Sequence, residues 1–119
     1  MLFAFVLLTV PPEVLPEPRP VEPFLPGIYH VTGEVSGTEY KGVCVVKRVN
    51  AAFVFRFMTD SGISATIGMR DGATIVCGGS TGVTRFKIEV DKEGKTRMVG
   101  EWTDFAGNSG TETLTWLKD

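Results

Sequence analysis

All seven prolines of this chain fall between Pro11 and Pro26, and all fourteen glycines fall between Gly27 and Gly110. Proline lacks a backbone donor and is confined to the ends and edges of strands. Glycine supplies the positive φ angles that tight hairpins require. The segregation therefore divides the chain between Pro26 and Gly27 into a stiff tether and a hairpin-rich body. Three segments follow: an apolar stretch at 1–10, a Pro-rich tether at 11–26 and a β-domain at 27–119.

The body reads as short period-2 runs cut by turn residues. The runs are Ile28 to Val35, Tyr40 to Val49, Ala52 to Met58, Ile63 to Met69, Ala73 to Cys77, Val83 to Val90, Thr96 to Thr103 and Thr111 to Leu117. Ser36-Gly37-Thr38, Asn50-Ala51, Asp60-Ser61-Gly62 and Asp71-Gly72 mark the early turns, and Asp71-Gly72 is the strongest hairpin dipeptide of the chain. Gly78-Gly79-Ser80-Thr81-Gly82, Asp91-Lys92-Glu93-Gly94 and Gly107-Asn108-Ser109-Gly110 mark the later ones. Eight runs so closely spaced leave no room for βαβ crossovers, and no stretch sustains a 3.6-residue period. The expected fold class is all-β: an eight-stranded antiparallel up-and-down meander, closed into a small barrel and preceded by the extended tether. Closure removes both exposed edges. A two-sheet sandwich is the alternative. The expected core includes Tyr29, Val31, Phe55, Phe86, Ile88, Met98, Trp102 and Trp116, with Gly33, Gly42 and Gly100 pointing inward where the wall bends.

Within the body eleven acids balance eleven bases, and the whole chain carries a net charge of −2. A balanced surface exerts no long-range pull on a polyanion, so nucleic acid is not an expected partner. Leu2 to Val10 is an apolar run of nine residues, too short for a spanning helix, which needs about 20. Its length suits the core of an export signal, though no Lys or Arg precedes it and no small-x-small site follows. A strand or arm packed against the body or a neighbour is the competing reading, and a short membrane-surface anchor a third. Export to the envelope or extracellular space is the expectation, with no transmembrane span. The tether should be extended, at about 3.1 Å per residue. Its apolar Val14, Leu15, Phe24 and Leu25 suggest an arm lying on a surface, with residues 20–26 packed against the body.

Residues with reactive side chains are few. His30, the sole histidine, falls on the outward phase of the first strand. No Gly-x-Ser-x-Gly elbow is present, and one histidine with two cysteines does not make a zinc site. Glu101, Asp104 and Glu112 could be gathered by the final hairpin, but a solvated hairpin end explains them equally. No catalytic residue, metal or cofactor is assigned, and the chain is read as a non-enzyme. Cys44 and Cys77 read as two small buried thiols. A disulfide between their non-adjacent strands would need Cα atoms within about 7 Å.

The aromatic residues matter most. A pocket could be lined by Tyr29, Tyr40, Phe55, Trp102 and Trp116, with Arg48 or Glu112 at its mouth to orient a polar head. Phe24, Leu25 and Phe105 are the candidate partner-binding residues.

The body resembles the calycin-like barrels (lipocalins, fatty-acid-binding proteins, avidins) in strand number, meander order and the opening Gly27-Ile28-Tyr29. It is also similar to small exported bacterial proteins of unassigned function. The shared marks are Gly27-x-Tyr29, Tyr40-x-Gly42, Gly100-Glu101-Trp102 and the closing Gly110-Thr111-Glu112-Thr113-Leu114. The resemblance implies a barrel and a binding role. Two functions are open at this point: an interaction or structural module docking through its rim and N-terminal arm, by a protein partner or self-association, and a carrier of a small apolar ligand. Eight short strands with many aromatics favour a filled interior, and with it the first.

Overall fold

The structure of the protein, a computed structural model, describes residues 24–118. The apolar segment and the tether up to residue 23, including Val14 and Leu15, lie outside the described residues. Eight strands follow in order: β1 (Gly27–Val35), β2 (Thr38–Val49), β3 (Ala52–Thr59), β4 (Gly62–Asp71), β5 (Thr74–Gly78), β6 (Gly82–Val90), β7 (Thr96–Asp104) and β8 (Ser109–Lys118). Each pairs antiparallel with the next, and β8 returns to β1, so the sheet is a closed barrel and not a sandwich.

Turn chemistry sets the registers. Ser36 and Gly37 both have positive φ, at 50° and 82°, as a two-residue hairpin of the primed kind demands. That turn places Val35 opposite Thr38 and Gly33 opposite Tyr40. The turn at Asp60-Ser61 places Thr59 opposite Gly62 and Phe55 opposite Thr66.

One end of the barrel is packed. Tyr29, Val31, Cys44, Val46, Phe55, Ile75, Cys77, Phe86, Met98 and Leu114 are all buried. Phe55 stacks between Phe57 and Phe86, with ring centroids 6.3 and 5.7 Å apart. The end of the tether closes this floor. Leu25 is 1% exposed. The Tyr29 hydroxyl donates to the Leu25 carbonyl at 2.7 Å, and the Thr96 hydroxyl donates to the Phe24 carbonyl at 3.3 Å. The expected packing of residues 20–26 is present at Leu25, while Phe24 meets the body through its carbonyl with its side chain exposed, and residues 20–23 lie outside the described residues. Leu25 is a core residue and not a partner contact, because burial of its side chain plugs the barrel.

β4 is inverted. Hydrophobic alternation alone would turn Ile63, Ile67 and Met69 inward, yet they are 83%, 58% and 56% exposed. The β3–β4 turn leaves no choice. With Phe53, Phe55 and Phe57 inside, their partners Gly68, Thr66 and Ser64 must face inside too. One wall of the barrel thus presents small and hydroxyl side chains to the interior and an apolar row to the outside. Met58 lies opposite Ile63, and Val76 opposite Met69, so the row widens across β3–β5.

Candidate functional site

The small inward residues of β4 leave the other end of the barrel open. A cavity of about 410 Å³ lies there, lined by Tyr40, Phe57, Ser64, Thr66, Thr84, Trp102 and Glu112 with the rim residues around them. Its size falls at the lower end of the range for small-molecule pockets. The interior is therefore half filled, where the aromatic count pointed to a filled one.

Three polar side chains form a chain in this cavity. The Tyr40 hydroxyl donates to Glu112 Oε1 at 2.7 Å, and Trp102 Nε1 donates to the Tyr40 oxygen at 3.1 Å. Their convergence depends on glycine. Tyr40, Gly33, Glu112 and Gly100 stand side by side on β2, β1, β8 and β7. A Cβ at Gly33 would come 2.3 Å from Tyr40 Cζ, so only glycine lets the ring cross β1 to reach β8. Trp102 is seated likewise: a Cβ at its cross-strand partner Gly110 would lie 2.9 Å from the indole ring.

Glu112 is 8% exposed. Burial holds its pKa above the ordinary carboxyl value, while the Tyr40 hydrogen bond pulls the other way. Burial, with the neighbouring Glu112 charge second, raises Tyr40 well above its usual value. Among the described residues no donor reaches the second oxygen of Glu112. The Thr66 hydroxyl is buried in the same wall with no hydrogen-bond partner, although it lies near enough to the Cys77 thiol to pull that group's pKa downward.

The rim carries Asp104, whose carboxylate is already committed to the loop. It accepts from the backbone amides of Ala106 and Asn108 and from the Asn108 side chain. Those bonds, led by the Asn108 side chain, hold its pKa below the usual carboxylate value.

Of the expected pocket residues, the structure brings together Tyr40, Trp102 and Glu112. Tyr29 and Phe55 are sealed in the packed half. Trp116 lies at that same end, against Gly27, and is half-buried. Arg48 stands at the far rim, donating to the Asn50 carbonyl at 3.0 Å with its guanidinium over Phe53, so it cannot share a ligand with Glu112. Trp102 lines the cavity and is only half-buried, not part of the core. The sequence reading missed Ser64, Thr66 and Thr84, because small hydroxyl residues on a strand carry no signal until register shows which way they face.

Phe24 and Phe105 are 68% and 79% exposed at opposite ends of the barrel. Glu101 is outward and exposed, so Glu101 and Glu112 do not converge. His30 is exposed, as its phase implied. Cys44 and Cys77 are buried free thiols. Burial pushes Cys77 up to about 12 and Cys44 higher still, which makes both inert as thiols. No helix among the described residues is long and apolar enough to cross a membrane.

Fold and cavity together define a small closed β-barrel with one open, polar-floored end. No family model matches the sequence, and no curated protein matches it. Several solved structures share the fold. A redesigned β-barrel, mFAP1, bound to DFHBI superimposes with a TM-score of 0.57 at 18% identity, covering 76% of this chain and 94% of that one. A second redesigned barrel, b11L5F_LGL, gives 0.51 at 16% identity, over 79% and 92%. A de novo designed fluorescence-activating β-barrel gives 0.50 at 15%, over 79% and 94%. At such identities the likeness speaks for the fold.

Proposed function

We propose that the protein is a non-enzymatic binder of a small organic ligand, held in the open half of the barrel. The observation that carries this reading is the joint geometry of the cavity: about 410 Å³ of space, one wall of small hydroxyl side chains, and a buried carboxyl with one oxygen unengaged. A barrel serving only as a structural module gains nothing from leaving this end open, since packing it would add buried apolar area worth about 25 cal/mol per Å². The calycin-like resemblance and the DFHBI-bound designed barrel, whose ligand belongs to that protein, are in keeping with it. Export to the envelope or extracellular space remains part of the proposal, on the apolar run from Leu2 to Val10.

Trp102 reports on this cavity and Trp116 on the opposite end, so tryptophan fluorescence tests the reading directly. Titration with the neutral dye N-phenyl-1-naphthylamine should quench the protein's emission at a one-to-one ratio. Trp102→Phe should abolish most of that change, whereas Trp116→Phe should leave it. Saturable dye binding with no response from Trp102 would place the ligand elsewhere, and no binding would return the protein to the interaction-module reading.

A further inference from the structure

The electrical character of the cavity goes further than its shape. Among the described residues its walls contain two carboxyl side chains, Asp104 and Glu112, and no Lys, Arg or His. Asp104 is occupied by its loop, which leaves Glu112 as the group that faces a ligand. Glu112 is 8% exposed and has a single donor, the Tyr40 hydroxyl. A buried carboxylate so sparsely supported is costly unless a positive charge accompanies it. Around it stand Tyr40, Trp102 and Phe57, whose ring faces attract cations and flat apolar bodies alike.

We infer that the ligand is a cation: a compact aromatic or cyclic body bearing a protonated amine or amidine, with Glu112 as its counter-charge and the unengaged oxygen of Glu112 as the acceptor. The inference rests on the binding role proposed above. The body occupies the space beside Phe57 and Trp102, with Thr66 along the same wall. Anions such as fatty acids are disfavoured, because among the described residues no basic side chain lines the cavity and Glu112 repels their head group. This reverses the expectation that Arg48 could orient a polar head, since Arg48 sits at the other end of the barrel.

The test is a matched series of equal size: 2-naphthylmethylamine, 2-naphthylmethanol and 2-naphthoate, titrated by calorimetry into the full chain at pH 8. A charge-assisted hydrogen bond exceeds a neutral one by enough for the amine to bind about tenfold or more tightly than the alcohol. The carboxylate should bind weakest. In Glu112→Gln the amine's advantage over the alcohol should collapse toward unity. Equal affinity for all three in the native protein, or preference for the carboxylate, would overturn the cation inference and leave the binding role standing. An amine preference that survives Glu112→Gln would also overturn it. Failure of all three to bind would remove the binding role itself. The comparison within the native protein does not depend on how the variant folds.

Discussion

The two ends of this barrel are built from the same eight strands by different inward residues. At the closed end Tyr29, Phe55, Phe86, Met98 and Leu114 meet in a dry core with Leu25 as the plug. At the open end the corresponding positions hold Ser64, Thr66, Thr84 and Glu112, with Tyr40 and Trp102 hydrogen-bonded to the side. The barrel has room for side chains at every level, so the open half is not a consequence of its strand number. It comes from β4, which contributes Ser64, Thr66 and Gly68 where β3 contributes three phenylalanines. Stability resides in one half, and the proposed binding site lies in the other.

That division predicts unequal responses to truncation. Phe86→Ala in the closed half should cost about 3–5 kcal/mol in urea unfolding, the usual loss for a buried large aromatic. Trp102→Ala at the cavity should cost only about 1–2 kcal/mol, an ordinary value for a residue still half in solvent. Equal losses would mean that the open end is as much a core as the closed one.

The plug is the next largest effect. Leu25→Ala should cost about 2–5 kcal/mol, as for other buried leucines. Removing residues 1–23 should leave the melting temperature unchanged, whereas removing residues through Pro26 should lower it. If both truncations melt like the full chain, the floor of the barrel is held without the tether.

A smaller effect follows from Glu112. Its folded pKa is raised above the ordinary carboxyl value of 4.5, so the folded state holds the proton more tightly than the unfolded one. The associated stability is fully present below about 4.5 and is lost as pH rises through the raised folded value. Glu112→Gln should therefore melt like the native protein in acid and gain on it as pH rises through that window. Thermal melts across pH test the sign: a gap opening on acidification would mean that the fold stabilises the carboxylate.

Much of the closed half was legible in the sequence. The strand ends lie within about two residues of the turn signals, because glycine and Asx turns act locally. Tyr29, Val31, Phe86, Ile88 and Met98 announced their faces by clean alternation. The open half was legible only in part. Tyr40 and Trp102 stood out as candidate lining aromatics and Glu112 as an acid for the pocket mouth. Their meeting depends on the β1–β8 closure that sets Gly33 opposite Glu112, a contact between the two ends of the domain that no local pattern encodes. β4 misleads outright: its stronger hydrophobic phase is the outer one, and register, not hydrophobicity, decides its faces. Trp116 and Arg48 were placed by residue type, but their positions near the strand ends put them at the other rim.

The outer row of Ile63, Ile67 and Met69 also gives the central claim its sharpest test, since an apolar dye could bind there instead of inside. Thr84 lies beside Trp102 in the cavity wall, on the inward face of β6. A phenylalanine at that position would extend into the open space and occupy it. One-to-one binding of N-phenyl-1-naphthylamine should be lost in Thr84→Phe, while the variant melts at or above the temperature of the native barrel. Dye binding that persists undiminished in a folded Thr84→Phe barrel would contradict the account and move the site to the outer face.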